Sequence, residues 1–234
     1  LVMSLSLVTI ANAADFSDDA DISYKEAVDV MGAIGVINGY EDGSFQPDGI
    51  LTREEAARRI ADGTLTDVLN AVPVKAGDVF FIDAGTVHAI GAGILIAEIQ
   101  QNSNTTYRVF DYGRLGADGK PRALHVEKAL DVARLCPPER SAGPIGKPEQ
   151  NGDCTSTLLA KCGYFTARLL DVAGSAPLCA DGESFHSLLC LSGSGAVICG
   201  SGAVPFAKGD SLFLPAGLGA YTIAGRAQLV LTTL

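Results

Sequence analysis

Histidine is scarce in this chain. His88, His125 and His186 are the only three in 234 residues, which leaves little imidazole for a metal centre that normally takes three protein ligands. Basic residues are also in deficit. Seventeen Lys and Arg face 27 Asp and Glu, a net charge of −10, which excludes nucleic acid as a partner because its phosphates need clustered cations. The six cysteines (Cys136, Cys154, Cys162, Cys179, Cys190, Cys199) contain no CxxC pair and no compact framework. In so apolar a chain they read first as small buried thiols, with disulfides left open should the protein be exported. No segment holds the ~20 unbroken apolar residues of a transmembrane helix. What is plentiful is hydrophobic content, 47%, enough to pack one large or two small domains.

Three kinds of sequence follow one another. LVMSLSLVTI is an apolar run, and Ala11-Asn12-Ala13 has the small-x-small form of a cleavage site. Residues 1–13 therefore read as the end of a secretory signal peptide, the alternative being a buried N-terminal strand. Residues 14–62 hold 12 acidic and 4 basic residues, whereas the remainder is nearly balanced and contains every His and Cys. Such a break suggests segments of different origin.

The acidic segment carries two capping boxes, Ser23-Tyr24-Lys25-Glu26 and Thr52-Arg53-Glu54-Glu55. In each, the hydroxyl can accept from a free N–H at a helix start while the Glu reaches back. Helices are expected from about Tyr24 to Ile34, ending at Gly35, and from Arg53 to about Ala61, with a turn-rich loop at 39–45 between them. The residues Phe16-Ser17-Asp18, Gly35-Val36-Ile37-Asn38-Gly39-Tyr40, Asp42-Gly43-Ser44-Phe45-Gln46-Pro47-Asp48 and Leu51-Thr52-Arg53-Glu54-Glu55-Ala56 resemble an S-layer homology (SLH) module. The resemblance implies binding to cell-wall polysaccharide, with Arg53 near the glycan, where a planar guanidinium suits an acidic sugar. Such modules usually act in threes, and one is found here.

Beyond residue 62 the pattern changes to short apolar runs between Gly-rich turns. Val79–Ile82, Gly93–Ile99 and Thr106–Phe110 read as strands. HVEKALDVARL (125–135) has helical spacing, and 136–153 is a Pro/Gly-rich connector. Strand signals return in FTARLL, SLLCL, GAVICG, SLFLPA, AYTIAG and QLVLTTL. An internal repeat stands out: KAGDVFFIDAG (75–85) recurs as AKGDSLFLPAG (207–217), with Gly77/Gly209, Asp78/Asp210, Phe81/Phe213, Ala84/Ala216 and Gly85/Gly217 identical. A period this long indicates two copies of one β-domain. A G-D-x-x-x-x-P-A-G hairpin before a strand is typical of cupin barrels, small double-sheet jelly rolls. The first copy places His88 just after the hairpin, where the second has Ala220.

GTVHAIGAG, AEIQQNSNTTYRVFDYGR, LHVEKALDV and FLPAGLGAYTIAG resemble the C-terminal part of a type I mannose-6-phosphate isomerase of the short bacterial form. The resemblance implies a mainly β, cupin-type fold in two copies, the first incomplete, behind a small helix-loop-helix module. The expected order is signal remnant (1–13), SLH-like module (14–62), partial first cupin with a trailing helix (63–135), connector (136–153) and second cupin (154–234). It further implies zinc as cofactor with His88 as one of four ligands, Glu98 in the active site and Arg108 as the catalytic arginine. The substrates would be mannose 6-phosphate and fructose 6-phosphate, with Lys128 or Arg114 as weaker phosphate-holding candidates. Family members take their other ligands from an upstream Gln-x-His pair and a Glu, and this chain contains no Gln-x-His. Three readings stay open: an isomerase whose site is completed elsewhere, a non-catalytic wall-associated cupin, and a fused or truncated reading frame. The isomerase resemblance implies the cytoplasm, whereas the signal remnant and SLH-like module imply export.

Overall fold

In the computed structural model the described residues are 52–103, 105–135 and 142–234, together with Ser17 and Ala20. The expected signal remnant and the first expected helix lie outside them. The chain divides into two compact units. One comprises Leu1–Pro73, Asp83–Ala89 and Thr106–Glu139, and the other Val74–Ile82, Ile90–Thr105 and Arg140–Leu234.

In the first unit, helix α1 spans Arg53–Ala61 and begins as its capping box requires: the Thr52 hydroxyl accepts from the Glu55 N–H at 3.1 Å. Glu54 and Glu55 sit in the first turn and Arg58 and Arg59 in the last, the order that suits the helix dipole. A 3-10 turn, Leu65–Val68, follows. Helix α2 spans Val126–Val132 and lies against α1, each contributing one buried alanine, Ala56 and Ala129.

The second unit is built on one antiparallel sheet. Its strands are β1 (Glu149–Asn151), β2 (Cys154–Lys161), β3 (Thr166–Val172), β4 (Ser175–Ala180), β5 (His186–Cys199), β6 (Gly202–Ala207), β7 (Ser211–Leu214) and β8 (Gly219–Thr233). The path runs β1-β2-β3-β8-β5-β6, with β4 added to β8 and β7 to β5. The Pro/Gly-rich connector thus ends in a short strand. Four of the strand signals merge into two long strands: SLLCL and GAVICG are both β5, and AYTIAG and QLVLTTL are both β8. A register shift between Cys190 and Ser192 marks the join in β5.

Close backbone approach at that join requires glycine. A Cβ on Gly193 would run into the Arg226 carbonyl, and one on Gly195 into the carbonyl of Ala224. Beneath it lies the main core, where Val172, Leu188, Cys190, Ile223 and Leu229 are fully buried. The opposite face of β3 and β8 carries a second cluster, Leu159, Ala167 and Val230, packed by Val79, Ile99 and Phe165. Of the five described cysteines, all free, only Cys154 and Cys190 are buried and Cys179 is exposed, so the expected burial of thiols holds for part of the set.

The strands expected at Val79–Ile82, Gly93–Ile99 and Thr106–Phe110 are not formed as such. A strand needs a ladder partner, and among the described residues outside β1–β8 the only bridges are Thr86 with Arg134 and Leu115 with Pro121. Val79 and Ile99 pack on the second cluster, while Ile94 and Ile96 are 42% and 47% exposed and Leu95 is 93% exposed. The repeat nevertheless shows itself in the turns. The Lys75 N–H donates to the Asp78 carboxylate at 2.9 Å, and the Ala207 N–H donates to that of Asp210 at 2.8 Å. Gly77 and Gly209 sit at φ 91° and 94°. The same tight turn is therefore present twice, and only the second leads into a paired strand, β7. No helix among the described residues is long and apolar enough to cross a membrane.

One polar pair is held at the edge of the main core. Tyr221 is 3% exposed, and its hydroxyl lies 2.8 Å from His186 Nδ1. Burial raises the pKa of the phenol well above its ordinary range, so the hydroxyl stays protonated and can bond either tautomer of the imidazole. Burial also lowers the pKa of His186 below its ordinary 6.5. The native state thus binds fewer protons than the unfolded chain below that pH, and stability should fall on acidification through and below it. His186→Gln is expected to flatten this part of a melting-temperature profile against pH. Gly195→Ala should cost about 1–3 kcal/mol by urea unfolding, while Gly182→Ala, with nothing within 4 Å of the added methyl, should be nearly neutral.

Candidate functional site

The turn before His88 is fixed from both sides. The Thr86 N–H donates to the Asp83 carbonyl at 3.1 Å, and the Arg134 N–H donates to Gly85 at 2.9 Å. Gly85 has φ 89°, and a Cβ there would collide with the Val132 carbonyl, so the repeat's invariant glycine is a packing requirement here. An ion pair between Arg134 and Asp83 at 3.6 Å closes the turn. The chain then presents His88 at the surface with Nδ1 2.8 Å from the Thr86 carbonyl. In that arrangement Nδ1–H donates to the backbone and Nε2 carries the free lone pair, the tautomer suited to a metal ligand.

Arg108 is positioned by a residue absent from the expected site. Its N–H donates to His125 Nδ1 at 3.2 Å, and the His125 N–H donates back to its carbonyl at 2.7 Å. The guanidinium donates through Nη1 to the Ala123 carbonyl at 3.1 Å and stands 3.8 Å from Asp111. Asp111 is itself gripped by both Arg122 Nε, at 2.7 Å, and Arg122 Nη2. That bond, with added attraction from Arg108 and Arg114, holds the Asp111 carboxyl below its usual range. The Arg114 guanidinium lies 5.6 Å from the Tyr112 ring centroid. Arg108 and Arg122 therefore share one carboxylate.

His88, Arg108, Arg114 and Lys128 belong to the first unit and Glu98 to the second. Lys128 and Glu98 are exposed and form no ion pair among the described residues. Arg53 is already engaged: it donates to the Leu130 carbonyl at 3.1 Å and pairs with Asp131 at 2.6 Å, both on α2. Among the described residues no three His, Cys, Asp or Glu side chains form a group that could hold a metal ion. His125, Asp111 and Arg122 were not singled out by sequence. The first two lie inside the motifs LHVEKALDV and VFDYGR, where their contribution to the resemblance was the only signal.

Comparison with known proteins bears on this arrangement. Residues 155–234 match the model of the mannose-6-phosphate isomerase cupin domain, and residues 15–57 match the S-layer homology domain. The chain carries a mannose-6-phosphate isomerase cupin domain. It is 41% identical over 184 residues to mannose-6-phosphate isomerase ManA of Bacillus subtilis (strain 168), covering 78% of this chain and 57% of that protein. It is 35% identical over 179 residues to the mannose-6-phosphate isomerase of Streptococcus mutans, covering 76% and 55%. The crystal structure of the Bacillus subtilis mannose 6-phosphate isomerase superposes with a TM-score of 0.71 at 32% identity, over 79% of this chain and 58% of that one. The chain thus spans a little over half the length of the relatives it matches.

The Arg53–Asp131 pair joins the SLH-matching helix α1 to α2. Its side chains are 51% and 62% exposed, so solvent screens it. A double-mutant cycle with Arg53→Ala and Asp131→Ala should give a coupling of about 0.2–1 kcal/mol that shrinks in high salt.

Proposed function

We propose that this chain provides one wall of a mannose-6-phosphate isomerase site, acting on the interconversion of mannose 6-phosphate and fructose 6-phosphate. The observation that carries this reading is 41% identity to ManA over 184 residues, in a chain where the Arg108 guanidinium donates to the Ala123 carbonyl and its backbone exchanges bonds with His125. The reaction moves a proton between C1 and C2 through an enediol. A fixed guanidinium can stabilise the enediolate or phosphate charge without reorganising. Arg108 is assigned that role, Glu98 orients a hydroxyl or relays the proton, and Arg114 and Lys128 support phosphate binding.

The zinc implied by the resemblance is not accommodated by the described residues alone. His88 has the right tautomer, but no group of three ligands surrounds it, and a catalytic zinc takes three. No step is therefore assigned to the metal, and further ligands have to come from outside the described residues. The SLH match supports a second role, association with cell-wall polysaccharide at the cell surface. In that role Arg53 would have to share its guanidinium with Asp131 and the Leu130 carbonyl.

A coupled isomerase assay with zinc quantified per chain tests the first role. Turnover that falls roughly a hundredfold in Arg108→Ala supports it. No turnover, with less than about a tenth of an equivalent of zinc, rules out isomerase activity for this chain. Retention on purified cell wall, reduced by Arg53→Ala, tests the second.

A further inference from the structure

The second unit contains a cavity of about 340 Å³ that shares no residue with the His88–Arg108 site. Alternate residues along β3 line it: Thr166, Arg168 and Leu170, the face opposite to Ala167 and Leu169, which pack in the second cluster. β8 contributes Leu231 and Thr233, paired with Arg168 and Thr166 respectively. β2 contributes Ser156, and His186 stands at the start of β5. The polar groups of Thr166, Thr233 and His186 gather where β3 and β5 begin and β8 ends. Deeper in, Leu170 and Leu231 belong to the main core.

The charge balance of this lining is one-sided. Arg168 is its only formally charged residue, and no Asp or Glu takes part. Arg168 is half-buried, and among the described residues its guanidinium forms neither a hydrogen bond nor an ion pair. A guanidinium withdrawn from water against leucines is costly unless an anion or acceptor meets it. The hydroxyls of Ser156, Thr166 and Thr233 are further donors on the same wall, and the His186 ring, tied at Nδ1 to Tyr221, adds a polar edge. The volume is at the lower end of the range of small-molecule sites.

From this juxtaposition of an unpaired Arg168 guanidinium, His186 and three hydroxyls in one cavity, we propose that the second cupin copy binds a small organic anion carrying a carboxylate or phosphate group. The anion pairs with Arg168, its hydroxyl or ester oxygens meet His186 and the threonines, and its carbon skeleton rests on Leu170 and Leu231. The site stands independently of the isomerase reading, because it uses none of the same residues.

The full chain, isotopically labelled, is titrated by amide NMR with mannose 6-phosphate, inorganic phosphate, malate and neutral mannose in low salt. Saturable shifts at Thr166, Arg168 and His186 with any of the three anions, and not with mannose, are expected. Response to phosphate-bearing probes alone assigns a phosphate ester, and response to malate alone a carboxylate. Arg168→Gln should weaken binding roughly tenfold or more, Arg168→Lys should recover part of it, and high salt should weaken it in the wild type. Absence of saturable shifts in the wild type overturns the proposal. So do equal affinity in Arg168→Gln, equal response to mannose, or shifts confined to residues 106–135. The wild-type titration decides the matter even if a variant fails to fold.

Discussion

The second unit depends on one strand. β8 pairs with β3 along Ala227–Thr233, with β4 along Gly219–Ala224, and with β5 along nearly its whole length. Three neighbours on one fifteen-residue strand mean that its backbone groups are satisfied on both sides. Its side chains alternate between the main core, through Ile223, Leu229 and Leu231, and the second cluster, through Val230. The cavity with Arg168, the Tyr221–His186 pair and the packing of Val79 and Ile99 all hang on the position of this strand. Backbone satisfaction, more than any side-chain contact, thus decides what is ordered as sheet.

That constraint also explains where the sequence could and could not be read. Local chemistry was legible. Thr52 caps α1 as its spacing required, α2 falls within 125–135, and the twin Gly-Asp motifs give twin turns at Asp78 and Asp210. Non-local chemistry was not. Val79–Ile82 and Gly93–Ile99 have the composition of strands, yet strand identity is conferred by a neighbour that composition does not encode. The merging of two apparent strands into β5 was likewise hidden. Glycines at 193 and 195 look like turn residues until the opposing carbonyls of Arg226 and Ala224 show that they permit close approach within a continuous strand.

The candidate site divides in the same way. His88 and Arg108 were visible because long motifs surround them, and their immediate supports, the Thr86 carbonyl and His125, are short-range or lie within another such motif. Asp111 was invisible because its importance is relational: it matters through Arg122, which reaches it from across the loop, and through Arg108 nearby. The absence of a three-ligand group among the described residues separates kinship from chemistry. The Arg108–His125 exchange keeps its hydrogen-bonded shape within the first unit.

The contact between Arg53 and Asp131 has a consequence for how such a chain can change over generations. Arg53 lies in the part that matches an S-layer homology domain, and Asp131 in the helix formed by the motif LHVEKALDV. Two modules joined only by a tether can each drift, be duplicated or be exchanged without regard to the other. Here a charge change at position 53 alters the surroundings of position 131, so the junction has an inheritance of its own. Recombination that brings in a different helix at α1 has to bring a residue compatible with Asp131 and the Leu130 carbonyl.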